Sequence, residues 1–89
     1  MRYDNGKDWV EVSGVARKPM RELLALDSDA LDAAHKLAVG FTQDAHFVDE
    51  YGNVVNWREE VLGLSVQQWN WWKGRIWAAA RDEKIDPEA

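Results

Sequence analysis

The sequence predicts an α+β fold that is mainly helical, a single small domain of three helices with one or two short β-hairpins. Three observations predict it: an Asn-Gly turn near the N-terminus, apolar residues at helical spacing in the middle of the chain, and a helix-capping motif at Ser65. With 89 residues, no cysteine and two histidines, the chain can form one modest core without disulfides or a thiolate zinc site. We therefore expect most of the six tryptophans to be buried.

The N-terminal part of the chain predicts a hairpin and a first helix. Asn5-Gly6 is a strong two-residue turn signal, and residues 9–12 then alternate with period two, so a hairpin is expected to end near Ser13. Pro19 indicates the start of a helix, which should end at the capping residues 27–29.

The middle of the chain predicts a second helix and a second hairpin. The helix is expected to begin at residues 27–29 and to end near Gly40. Two short apolar pairs, at 47–48 and 54–55, then flank the acidic turn 49–53, which is typical of a hairpin. At about 100° per residue the buried stripe of this helix should contain Leu31, Ala34, Leu37, Ala38 and Phe41.

The C-terminal part predicts the longest helix, over residues 66–83. Ser65 is its N-cap and Gln68 completes a capping box. The two acidic residues at its end lie at the negative end of the helix dipole, so this end is expected to fray. The globular domain should cover residues 1–84, with residues 85–89 as a flexible C-terminal tail.

Four of the six tryptophans lie within residues 69–77, and helical phase separates them. Trp71 lies about 100° beyond the edge of the arc expected to face the core, so its ring should point outward. In one interpretation Trp71 is structural: it stacks under Arg75, or the hairpins cover it. In the other, Trp71 and Arg75 bind a partner together with Trp77 at the rim of the arc, because Trp and Arg dominate interface hot spots. The core arc contains Val66, Trp69, Trp72, Ile76, Trp77 and Ala80.

Composition argues against several functional classes. The net charge of −5 disfavours direct binding to a phosphate backbone. The sequence has neither an apolar run of about 18 residues nor a signal peptide, so we expect a cytoplasmic protein without membrane contact. Ser28 and Ser65 are expected to cap helices and no metal-ligand spacing is present, so we expect no enzymatic activity, no cofactor and no metal.

Four segments occur in an order that resembles a known family. They are residues 21–27 (RELLALD), 38–41 (AVGF), 49–53 (DEYGN) and 62–69 (LGLSVQQW). Over about residues 9 to 84 this order of elements resembles the small tail assembly chaperones of long-tailed bacteriophages. The resemblance implies a non-enzymatic protein in the host cytoplasm that associates with itself and coats the apolar tape measure protein until tail tube subunits replace it.

The favoured interpretation is therefore a phage-type assembly chaperone that binds a protein partner, and itself, through its tryptophan-rich last helix. One alternative is an acidic inhibitor from a phage or mobile element that docks on a basic nucleic-acid-binding host protein. A second alternative is a small structural subunit of a virion, which would be found in purified particles. The acidic surface of the inhibitor would contain Asp27, Asp29, Asp32, Asp49 and Glu50.

Overall fold

The computed structural model describes residues 1–83, which form three helices and a small β-sheet in an α+β fold, as the sequence predicts, and the sheet has three antiparallel strands. No helix in this range is long and apolar enough to cross a bilayer. The sheet has the order β1-β2-β3. The strands are β1 (Arg2–Asn5), β2 (Asp8–Val12) and β3 (Thr42–His46). The helices are α1 (Met20–Leu24), α2 (Leu31–Phe41) and α3 (Val66–Asp82), and a single turn of 3-10 helix at Ala25–Asp27 follows α1.

The N-terminal hairpin is confirmed, with its turn one residue later than predicted. Asn5 pairs with Asp8, so Gly6 and Lys7 are the two central residues of the turn. Gly6 has a φ of +70° and Lys7 has a negative φ, the pattern of a type II′ turn, which needs glycine at the first central position. Both valines of β2 are fully buried, so the predicted alternation holds.

The strand β3 is not predicted from the sequence, and it directly precedes the expected second hairpin at 47–55. That hairpin is reduced to a single bridge between Val48 and Val54. The helix α2 ends at Phe41, one residue beyond Gly40, and passes directly into β3. The sequence of β3 (TQDAH) has weak strand propensity, and the strand is stabilised by its pairing with β2 along Trp9–Val12.

The helix α2 was expected to begin at the capping residues 27–29, and this prediction is wrong. Ala30 occupies the N-cap position and makes no side-chain capping bond. The Asp27 carboxylate instead lies 3.5 Å from Lys73 Nζ on α3. The buried face of α2 also contains His35, whereas Leu31 is 36% exposed. The helix therefore begins at Leu31, beyond the three residues expected to cap it.

Both ends of α3 are anchored. The capping box is confirmed, because the backbone N–H of Gln68 donates to Ser65 Oγ (3.0 Å) and that of Ser65 donates to Gln68 Oε1 (2.9 Å). At the C-terminal end, where the sequence predicts fraying, the helix ends at Asp82 and Glu83 contacts the loop before α1. The Glu83 carboxylate accepts the backbone N–H groups of Gly14 (3.1 Å) and Val15 (3.2 Å), a chelating geometry that the positive φ of Gly14 permits. The predicted tail at 85–89 lies outside the described residues.

The core lies between one face of the sheet and the helices α2 and α3. Only Trp57 and Trp72 among the tryptophans are buried, and the other four are half-buried, so the expectation that most would lie inside is wrong. Trp57 and Trp72 meet edge to face with ring centroids 5.7 Å apart. The largest fully buried side chains are Trp72, Phe47, Leu26, Ile76, Val10, Val12 and Val15.

Candidate functional site

Trp71 does not point freely outward. Its ring is half-buried and meets Phe47 edge to face at a centroid distance of 6.3 Å. Phe47 is fully buried and directly follows β3, the strand that the sequence did not predict. The chain after β3 therefore covers the part of α3 that helical phase alone had assigned to solvent.

The other two predicted partner-binding residues also make contacts within the fold. The Arg75 guanidinium lies 5.4 Å from the centre of the Tyr3 ring on β1, so it stacks there and not on Trp71. Trp77 is half-buried and packs against the core. Trp71 and Arg75 are one helical turn apart, whereas Trp77 lies about 120° away from Trp71 around the helix. A role for these three residues in binding stays a prediction.

The five carboxylates of the alternative acidic surface fall in two segments. Asp27, Asp29 and Asp32 lie between α1 and the first turn of α2, and Asp49 and Glu50 lie in the turn after β3. Two of them have structural roles. The Asp27 carboxylate is paired with an ammonium group of α3, and Asp49 Oδ1 accepts two backbone N–H groups of its own turn, each at 2.9 Å.

A groove with an apolar lining, which we call the Leu62 groove, lies beside the N-terminal half of α3. It has a volume of about 140 Å³. Leu62 is 84% exposed and Val66 is 76% exposed, so two of its large side chains lie almost entirely in water. Val66 was expected in the core, but it is the first residue of α3 and projects beyond the layer that the helix covers. The lining consists of Leu31, Val61, Leu62, Leu64, Ser65, Val66 and Trp69.

Trp69 is the side chain that joins this groove to the core. Its ring lies edge to face with that of Trp72 at 5.6 Å and with that of His35 at 6.5 Å. His35 is itself held by a hydrogen bond between Nε2 and the Trp57 carbonyl oxygen (2.5 Å). Lys73 Nζ lies 5.3 Å from the centre of the Trp69 ring, where its charge interacts with the aromatic face. Trp69 is therefore a rigid element of the groove wall.

Carboxylates surround one end of the groove. Asp49 and Glu50 line a neighbouring depression that shares Leu64 and Ser65 with the groove. Glu60 lies on the same side, because a methyl group placed on Gly63 would come within 2.6 Å of Glu60 Oε1. Beside the Trp69 wall, the charges of Lys73 and Asp27 compensate each other. The groove is thus apolar along its floor and negative at one end.

A second structural network fixes the chain on the acidic side. Gln68 Nε2 donates to the Val48 carbonyl oxygen (2.7 Å) and to Asp8 Oδ2 (3.2 Å), and Asp8 Oδ1 accepts the Val48 N–H (3.1 Å). Asp8 is buried, so these bonds satisfy its charge. They hold β2, α3 and the chain after β3 together, which places the acidic turn at the end of the groove.

The Leu62 groove is not predicted from the sequence. The available signal was the pair of leucines at 62 and 64, apolar residues in a connecting segment just before the capping box at Ser65. Buried polar residues were also missed. Thr42 Oγ1 accepts the Trp72 indole N–H (2.9 Å) and donates to the Ala38 carbonyl oxygen (2.7 Å), so it satisfies the polar atom of the largest core side chain.

Within the described part of the chain, no group of three or more His, Cys, Asp or Glu side chains is arranged to hold a metal ion. Neither a protein-family model, nor a curated protein, nor a solved structure matches the chain.

Proposed function

We propose that the protein is a non-enzymatic, cytoplasmic binding protein of the assembly-chaperone type, which holds an apolar segment of a partner protein in the Leu62 groove. The tape measure protein is the partner that the family resemblance implies. The observation that carries the proposal is the exposure of Leu62 (84%) and Val66 (76%) next to the rigid ring of Trp69. Adjoining apolar side chains left in water contribute little to folding and are typical of docking surfaces.

The charges around the groove indicate the chemistry of the partner. Asp49, Glu50 and Glu60 lie at one end, and Lys7 lines a depression beside Asp49 and Glu50, so the negative charges at this end outnumber the positive ones. A segment with apolar residues on one side and lysine or arginine beside them would therefore gain both burial and charge complementarity. An acidic segment of the same apolar content would be repelled.

The side chains that line the groove are suited to binding and include few reactive groups. Its only hydroxyl is that of Ser65, whose Oγ already accepts the N–H of Gln68 in the capping box. The remaining lining side chains are aliphatic or indole groups, which neither ionise nor attack a substrate. This supports a binding function at this site.

A synthetic amphipathic peptide of leucine and lysine tests the proposal, with a leucine and glutamate peptide of equal length as its counterpart. Isothermal titration calorimetry should detect binding of the lysine peptide only. Val66→Glu should weaken that binding by at least about tenfold, because it replaces an exposed apolar side chain that the bound peptide would cover by a charged one that resists burial. Met20→Glu is the matched control, since both residues begin a helix and Met20 is 68% exposed outside the groove.

The salt dependence separates this function from charge mimicry by an acidic inhibitor. Binding through the apolar floor should weaken only modestly as salt is raised, whereas binding through carboxylates alone should weaken steeply. Equal losses for Val66→Glu and Met20→Glu, or equal binding of the two peptides, would contradict the proposed groove function.

A further inference from the structure

The two edges of the sheet differ in how their outward backbone groups are satisfied. On the β3 edge, the Ala45 carbonyl oxygen accepts the Trp57 indole N–H (3.1 Å) and the Gln43 carbonyl oxygen accepts Arg58 Nη2 (2.9 Å). The Ala45 N–H donates to Asp44 Oδ1 (2.9 Å). The chain after β3 therefore closes this edge against a further strand.

The β1 edge is open. Met1 and Val12 exchange two hydrogen bonds, from the Met1 N-terminus (2.7 Å) and from the Val12 N–H (2.8 Å). In an antiparallel ladder the bonded pairs alternate, so Tyr3 bonds to β2 while the backbone groups of Arg2 and Asp4 point away from the sheet. Within residues 1–83 no hydrogen bond reaches these outward groups.

We propose that β1 pairs antiparallel with β1 of a second copy of the chain, which joins two sheets across a twofold axis at Tyr3. In this register Arg2 lies opposite Asp4 of the second copy, and Asp4 lies opposite its Arg2. The two pairs are of the hydrogen-bonded type, so each exchanges two backbone bonds. Each also brings opposite charges together across the strands. This contact does not depend on the Leu62 groove.

Charge makes this edge self-complementary and selects the register. Arg2 and Asp4 have side chains on the same face, with Arg2 Nε 3.7 Å from Asp4 Oδ2. A slip by two residues in either direction would place Arg2 opposite Arg2 or Asp4 opposite Asp4, and like charges facing each other destabilise a sheet. An edge carrying one sign of charge would repel its own copy, as edges protected by lysine do.

The length of β1 sets the strength of the contact. The strand has four residues, so the pairing buries a small area and the dimer should form weakly and reversibly. Tyr3 lies at the axis, and its ring is fixed on the helix side of the sheet by the Arg75 guanidinium at 5.4 Å and by Asp82 Oδ2 at 3.5 Å. The central pair is therefore held in place before association.

The proposal is tested by exchanging the charges of residues 2 and 4 by mutation. Sedimentation equilibrium of the full chain over a range of concentrations gives the dissociation constant of each variant. Arg2→Asp alone and Asp4→Arg alone should each weaken dimerisation by about tenfold or more, since each puts like charges opposite. The double variant Arg2→Asp/Asp4→Arg should recover the dissociation constant of the unmodified protein. Lys7→Asp makes the same change in net charge as Arg2→Asp, but in the exposed turn, and should leave dimerisation unchanged.

Three results would overturn this proposal. They are a protein that stays monomeric at millimolar concentration, a double variant no better than either single variant, and dimerisation that is lost in Val66→Glu and kept in Arg2→Asp. The last result would mean that copies meet through the Leu62 groove. Loss of peptide binding with intact dimerisation would instead affect the proposed function alone. Circular dichroism of each variant shows whether the sheet is retained.

Discussion

Replacing Trp72 by alanine is the most severe test of how this small fold is stabilised. Its ring is fully buried, with ring centroids of Phe47 at 5.4 Å, Trp69 at 5.6 Å and Trp57 at 5.7 Å. Truncating such a residue to alanine costs about 3–5 kcal/mol. A domain of 89 residues has a free energy of unfolding of only about 4–13 kcal/mol, at about 0.05–0.15 kcal/mol per residue. The variant should therefore lose a large share of its stability.

Two further variants separate the contributions to that loss. Trp72→Phe keeps most of the ring but removes the N–H that donates to Thr42 Oγ1, and should cost about 1–2 kcal/mol. Trp71→Ala removes a half-buried ring one position away and should cost about 1–2 kcal/mol. Urea unfolding followed by far-ultraviolet circular dichroism measures all three, because indole fluorescence changes with each substitution. The reasoning is refuted if Trp72→Ala costs no more than Trp71→Ala.

Three other expected outcomes concern the ends of α3 and the β1 strand. Ser65→Ala should lower the free energy of unfolding by about 1 kcal/mol through loss of the capping box, and an unchanged urea midpoint would contradict this. Glu83→Gln should cost about 1–2 kcal/mol because its carboxylate accepts two backbone N–H groups, whereas a frayed helix end would show no effect. The pKa of Tyr3 lies above its ordinary value of 10.0, mainly because the side chain is partly buried and also because the Asp82 carboxylate is close. The Arg75 guanidinium lowers this pKa in part. The folded state therefore favours the protonated phenol of Tyr3, so the free energy of unfolding should fall as the pH rises above 10.0. Tyr3→Phe should remove this part of the decrease. Tyr51→Phe is the control and should leave this part of the decrease in place.

Local signals in the sequence predict the elements that depend on local interactions. The capping box at Ser65 and Gln68 is made within four consecutive residues, and it forms as expected. The first hairpin depends on Gly6, whose positive φ gives the turn its twist, and on alternation within β2. The three helices follow from apolar spacing and length. The cap and the turn in particular are formed by residues that are neighbours along the chain.

The elements that sequence reasoning missed depend on distant partners. The strand β3 has few strand-forming residues and is stabilised by β2 and by side chains from residues 57 and 58. Because β3 was missed, the position of Phe47 over Trp71 was missed as well. The charge of Glu83 is unfavourable at a helix C-terminus on sequence grounds alone, but in the fold its carboxylate accepts backbone N–H groups of the loop at Gly14. Helical phase could not reveal that Val66, on the apolar arc of α3, lies beyond the edge of the core.

The indole N–H signals in a two-dimensional NMR spectrum test the central claim most directly. The signal of Trp69 is assigned from its absence in the spectrum of Trp69→Phe. On addition of the leucine and lysine peptide this signal should shift most, because Trp69 alone among the tryptophans lines the Leu62 groove. The signal of Trp9, on the opposite face of the sheet, should not move. Shifts confined to Trp71 and Trp77, with Trp69 unchanged, would contradict the account and place binding on the other faces of α3.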